Sequence, residues 1–77
     1  MRLVFLGRLA DLAGGSERAV EPGALETILA ALEPELAVAL LGERVRAALN
    51  GELLPELSGF VLNEGDELAF LPPVSGG

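Results

Sequence analysis

The residues best placed to do chemistry are the last six, Pro72-Pro73-Val74-Ser75-Gly76-Gly77. The α-carboxylate falls on Gly77, behind a second glycine. Glycine has no Cβ, so this end is the thinnest peptide a protein can present. The two prolines hold the base of the segment near polyproline II and away from helix. Extended at roughly 3.1 Å per residue, six residues reach about 19 Å from a folded body. That is long enough to thread a narrow channel in another protein, where a bulky side chain at either final position would block passage.

What is missing sharpens this reading. The sequence has no His, Cys, Tyr or Trp, and its five basic residues are all arginine: Arg2, Arg8, Arg18, Arg44 and Arg46. Imidazole base, thiol nucleophile, Schiff-base amine and soft metal ligand are therefore all absent, and no metal site is expected. Ser16, Ser58, Ser75 and Thr27 have no basic partner to activate them, and a phosphate loop would need a lysine. The chain is not expected to be an enzyme by itself. Chemistry is expected at its own terminus, with catalytic groups supplied by others.

Seventy-seven residues with 51% hydrophobic content make one domain rather than a disordered segment. Twelve acids against five bases give a net charge of −7. Such a domain repels nucleic acid backbones and is steered towards basic protein surfaces. Without cysteine there is no disulfide framework, and no apolar run reaches the length of a membrane span. No nucleic acid or membrane partner is expected, and the cytoplasm is the expected compartment.

The elements that must position the tail follow from periodicity. Residues 2–6 read as a strand with Leu3 and Phe5 on one face and Arg2, Val4 and Leu6 on the other. The second face is still largely apolar, which suggests a central strand whose outer face is also covered, either by the chain or by a partner. A short helical turn follows from Arg8 to Ala13, with Leu9 and Leu12 on one side, stopped at Gly14-Gly15. Residues 16–21 read as a second strand, in a hairpin with the first. Ala24 to Glu33 is the clearest helix: Leu25, Ile28, Leu29 and Leu32 form one stripe, closed by Pro34. Residues 35–41 read as a second short helix or helical loop, and 43–50 as a strand. Asn50-Gly51 is a strong hairpin signal returning through residues 52–54. Residues 56–62 read as a loop or short turn around Gly59, and 63–66 as a turn. Glu67 to Leu71 is the last strand, with Leu68 and Phe70 on one face and Glu67, Ala69 and Leu71 on the other. The expected class is α+β, two layers, with a mixed sheet packed on one main helix and the last strand beside the first. Residues 1–71 make the domain and residues 72–77 an extended tail.

This order, the segment Arg46-Ala47-Ala48-Leu49-Asn50-Gly51-Glu52 and the run from Glu64 to Gly77 (Glu-Gly-Asp-Glu-Leu-Ala-Phe-Leu-Pro-Pro-Val-Ser-Gly-Gly) resemble the small subunit of molybdopterin synthase. That family is a set of β-grasp, ubiquitin-like sulfur carriers. The resemblance covers essentially the whole chain, and the last fourteen residues are its most specific part. The related thiamine-pathway carriers share the Gly-Gly but usually lack the Pro-Pro pair. The family's first and final strands often end in phenylalanine, where this chain has Leu6 and Leu71.

The resemblance implies a mechanism. An adenylating enzyme of the ubiquitin-activating type joins Gly77 to AMP, using ATP that this chain does not itself bind. A sulfur donor replaces AMP and leaves a thiocarboxylate. The larger synthase subunit, in a heterotetramer, takes the terminus into a pocket and passes the sulfur to a pterin precursor. Gly76 permits the close approach, and Pro72, Pro73, Val74 and Ser75 thread the pocket. Val4, Leu6, Leu53 and Leu71 correspond to the contact patch for the larger subunit, while Glu64, Asp66 and Glu67 read either as added docking to a basic partner or as a solvated acidic turn. Related carriers deliver sulfur to tRNA or become conjugated to proteins, and the tail chemistry is the same. A binding module without sulfur chemistry is the remaining reading.

Overall fold

The computed structural model describes residues 1–42, 44–56 and 59–73. The elements run β1 (Arg2–Phe5), α1 (Arg8–Ala13), β2 (Glu17–Ala19), β3 (Gly23–Ala24), α2 (Leu25–Ala30), α3 (Pro34–Leu40), β4 (Arg46–Leu49), β5 (Glu52–Leu53), β6 (Val61–Leu62) and β7 (Glu67–Leu71). Five strands form one sheet in the order β2-β1-β7-β4-β5, and β3 and β6 form a separate two-stranded ladder. No helix among the described residues is long and apolar enough to cross a membrane.

The sheet is organised by its centre. β1 and β7 pair in parallel, with Leu3 opposite Leu68 and Phe5 opposite Phe70. β4 runs antiparallel on the other side of β7. Period-two alternation sends Leu3, Phe5, Ala47, Leu68 and Phe70 to the same side, where each is 2% exposed or less. The Phe5 and Phe70 rings stack with centroids 5.9 Å apart and planes 11° from parallel. Such a pair contributes about 0.5–1.5 kcal/mol beyond the area it buries.

The helical layer covers this face. Leu25, Ile28, Leu29 and Leu32 are all buried, as the stripe requires, and Leu9, Leu36 and Leu40 join them. The helix is shorter than its stripe, however, and covers only Leu25–Ala30. Ala24 is taken up by β3, which pairs with β6 through Ala24 and Val61. At the other end, the residue before a proline is pushed out of the α region. Glu33 accordingly sits at φ −56°, ψ 138°, and Pro34 opens α3 at its first turn. Among the described residues the helical layer is three short helices, as the segmentation at Gly14-Gly15 and Pro34 implied, with the main one shorter than expected. α1 also differs in detail, because Leu9 is buried but Leu12 is exposed. Val38 in α3 and Leu41 at its C-cap face outward at 72% and 60% exposure.

β6 lies within the stretch expected to be a loop. Two residues are too few to show a period, although Leu62 is buried and Val61 exposed, as alternation demands. Arg18 joins the layers from β2: it donates to the Ala13 carbonyl at 2.8 Å and forks onto Glu33 at 3.0–3.1 Å. That contact lowers the Glu33 carboxyl below the usual glutamate value, mainly through the Arg18 hydrogen bond.

The β4–β5 hairpin turns through Asn50 at φ 50° and Gly51 at φ 87°. Positive φ at both central residues gives the turn the twist of its flanking strands. Asn50 does more than turn the chain. Its Nδ2 donates to Asp66 at 3.1 Å, and its Oδ1 accepts from the Glu67 amide at 2.9 Å. Asn50→Gly and Asn50→Ala both remove these bonds, but alanine keeps a Cβ in the left-handed region whereas glycine relieves it. Urea titration should therefore show Asn50→Ala about 1–2 kcal/mol less stable than Asn50→Gly.

Candidate functional site

β7 delivers the chain to its tail. Being central, it is held by β1 on one side and β4 on the other, and the tail starts from the middle of the sheet. The parallel ladder continues one rung past β1, where the Leu6 amide donates to the Phe70 carbonyl at 3.1 Å. Leu71 is half-buried, Pro72 is half-buried and Pro73 is exposed. Proline has no amide to donate, so the ladder stops there. Val74, Ser75, Gly76 and Gly77 lie outside the described residues.

The sheet face away from the helices carries the other predicted residues. Register places Val4 opposite Ala69, Ala69 opposite Ala48, and Ala48 opposite Leu53, in one row across four strands. The two alanines keep the middle of the row low. Leu6 and Leu71 lie one pleat nearer the tail, with Arg46 opposite Leu71. Leu53 is 65% and Leu6 42% exposed, while Val4 and Leu71 are half-buried. The structure thus brings Val4, Leu6, Leu53 and Leu71 onto one face at the root of the tail. Among the described residues no helix covers this face, so of the two covers expected for the outer face of β1, its own chain or a partner, the chain supplies none. Sequence reasoning missed Ala48, which belongs to the same row. The alternation along β4 carried that signal.

One pleat further from the tail the face turns ionic. Arg2 pairs with Glu17 at 3.1 Å and with Glu67, its partner across the β1–β7 ladder. Both carboxylates raise the Arg2 guanidinium above its usual value, with the Glu67 hydrogen bond the largest cause. Asp66 accepts from the Asn63 amide at 2.8 Å and from Asn50. These bonds hold its carboxyl below the usual aspartate value, the Asn63 amide contributing most. The acidic turn is at the opposite end of β7 from the tail. Of the three acids expected to dock a basic partner, Asp66 and Glu67 are already engaged within the chain, and Glu64 is exposed.

None of these residues forms a catalytic constellation. Among the described residues there is no group of His, Cys, Asp or Glu suited to a metal ion. A concavity of about 520 Å³ between β2 and α2 is lined by Val20, Pro22, Ile28 and Leu32, away from the tail root. What the site offers is a partly exposed apolar face at the point where the central strand β7 leads into Pro72-Pro73.

A β-grasp sheet with the tail leaving its central strand defines the class as ubiquitin-like. The chain belongs to the ThiS family of ubiquitin-like sulfur carriers, whose model matches residues 3–77. Sulfur carriers of this family work with an adenylating enzyme of the ubiquitin-activating type. Solved structures agree in shape. Sulfolobus solfataricus Urm1 superposes with a TM-score of 0.76 at 18% identity, over 94% of this chain and 99% of that one. SAMP1 from Haloferax volcanii gives 0.68 at 28% identity, over 99% and 97%. The Haloferax volcanii HVO 2177 protein gives 0.72 at 24%, over 99% and 84%.

The Asp66 network gives a pH signature. A carboxyl whose folded pKa is depressed adds stability that is fully present above its unfolded value. That stability is lost as pH falls through the folded value. The urea midpoint of the wild type should exceed that of Asp66→Asn by a constant margin from neutral pH down to about 3.9. Below that the margin should shrink and vanish.

Proposed function

We propose that this chain is the sulfur carrier of a molybdopterin synthase, its small subunit, acting in molybdenum cofactor biosynthesis. The observation that carries the reading is the tail root. The central strand β7 leads into Pro72-Pro73, which the sequence continues as Val74-Ser75-Gly76-Gly77, and its open face carries Val4 and Leu53 in one row with Leu6 and Leu71 one pleat nearer Pro72. A rigid strand and a proline-stiffened base suit insertion into a partner's pocket, because less entropy is lost on ordering, and the side-chain-free end is thin enough to enter it.

A carboxylate is a poor electrophile, so activation comes first. The Gly77 carboxylate attacks the α-phosphorus of ATP on the adenylating enzyme, and pyrophosphate leaves. A sulfide-level nucleophile then attacks the acyl carbon, the bond to AMP breaks, and Gly77 ends as a thiocarboxylate. In the large subunit, the sulfur bonds to a carbon of the pterin precursor, water adds at the Gly77 acyl carbon, the acyl carbon–sulfur bond breaks, and Gly77 returns to a carboxylate. The carrier's part is positional: the apolar face docks, and the tail presents the reacting atom. Acids, bases and ATP come from the partners, and the cytoplasm is the compartment we assign to these steps. The second reading keeps the same terminus and changes the recipient to tRNA or to protein amines. It fits the shared shape with Urm1 and SAMP1. With no lysine, this chain cannot build lysine-linked chains of itself.

Intact mass after incubation with ATP, the adenylating enzyme and a sulfur donor tests the shared step. The expected change is one oxygen exchanged for one sulfur, absent when Gly77 is deleted. Adding the large subunit and the pterin precursor should then yield the dithiolene product. A thiocarboxylate that forms but sulfurates only tRNA or conjugates only to protein would select the second reading. Leu71→Glu should weaken binding to the large subunit by at least tenfold in sedimentation, the scale of a charge buried in an apolar contact. Wild-type binding by that variant would remove the face from the interface.

A further inference from the structure

The turn after β1 holds a feature that the carrier chemistry does not itself require. Gly7 lies between β1 and α1 at φ 56°, ψ −137°, a conformation L side chains rarely adopt. Its neighbour across the sheet is the first residue of the tail. A Cβ placed on Gly7 would lie 2.9 Å from Cγ of Pro72 and 3.8 Å from Cδ. The pyrrolidine ring therefore occupies the space where any other residue would carry its side chain. Both sides of this contact are anchored. The Leu6 amide holds the Phe70 carbonyl, and the Gly7 carbonyl accepts from the Ala10 amide at 3.1 Å, tying the turn to α1.

We propose that Gly7 is a positioning residue for the tail: it seats the Pro72 ring, and this contact fixes the direction in which Pro72-Pro73 leave the sheet. Two constraints act together. Proline has one fixed backbone torsion, φ near −65°. The seat on Gly7 restrains the next degree of freedom, the tilt of the ring against the sheet. The tail base is then aimed before any partner binds, and the partner receives a larger fraction of competent molecules. Apparent affinity scales with that fraction. The consequence for activation rests on the sulfur-carrier reading; the geometric part does not.

The test uses the full chain and two readouts. Cα–Hα residual dipolar couplings of residues 72 and 73 report the direction of the tail base in the free protein. In the wild type they should fit the alignment tensor of the domain. In Pro72→Gly, which leaves the Gly7 backbone untouched, they should collapse towards averaged values. Pyrophosphate exchange with the adenylating enzyme gives the second readout. Pro72→Gly should raise KM for the carrier about tenfold, as expected if the competent fraction falls to about a tenth, with the larger part of the change in KM rather than kcat. Gly7→Ala should melt at a lower temperature and also raise KM. Combining it with Pro72→Gly should raise KM no further, because the ring it displaces is gone. Averaged couplings in the wild type, or a wild-type KM in Pro72→Gly, would overturn the proposal. So would a fully additive double variant. If no adenylation occurs even in the wild type, the carrier reading fails, while the couplings still decide whether Gly7 aims the tail.

Discussion

The parallel pairing of β1 with β7 is the contact on which the rest of the structure depends. It joins the two ends of the sequence, with Arg2 opposite Glu67 and Phe5 opposite Phe70. Everything between must fit the crossover that this pairing demands: a helical layer on one face, and edges formed by β2 and β5. Closing a loop of nearly the whole chain costs entropy before any contact is gained, so this pairing cannot be formed by local turns. The stacked Phe5 and Phe70, with Leu3 and Leu68 beside them, supply the burial that offsets it.

The same pairing separates two jobs that one strand performs at once. Along β7, Leu68 and Phe70 are fully buried and hold the sheet to the helices. Glu67, Ala69 and Leu71 alternate with them and make up part of the open face. Rigidity of the tail root is thus a by-product of core packing. Leaving leucines on the open face costs solvation, and large exposed apolar side chains grouped on one face mark interaction surfaces. The ion pairs of Arg2 with Glu17 and Glu67 bound this surface on the side away from the tail.

Carriers of this family divide labour with other proteins, and the composition of this chain suits that division. A domain without His, Cys or Lys has few groups of its own to react with an activated acyl terminus. Its net charge of −7 speeds encounter with basic surfaces without fixing any one contact. In the proposed role the specific information lies in shape: a face of small and branched side chains, and a terminus thin enough for a narrow pocket to admit.

Much of this was legible in the sequence, because it depends on short-range chemistry. Alternation along residues 2–6 and 67–71 assigned each side chain to its face, and the stripe Leu25, Ile28, Leu29, Leu32 named its buried residues. Asn50-Gly51 set the hairpin, since few other pairs tolerate positive φ twice in succession. The end of the ladder at Pro72 was readable for the same reason: a proline has no amide to donate wherever it stands. What only the tertiary structure decided depends on distant partners. β3 and β6 exist because Ala24 and Val61 meet across a gap of more than thirty residues; neither segment is long enough to declare itself. Pro34 was visible as a stop but not as the start of α3, because a proline at a first helical turn and one just after a last turn look alike in sequence. The engagement of Asp66 and Glu67, and the seat that Gly7 makes for Pro72, arise from packing between residues far apart in the chain. No local pattern encodes that, because it is the fold that makes them neighbours.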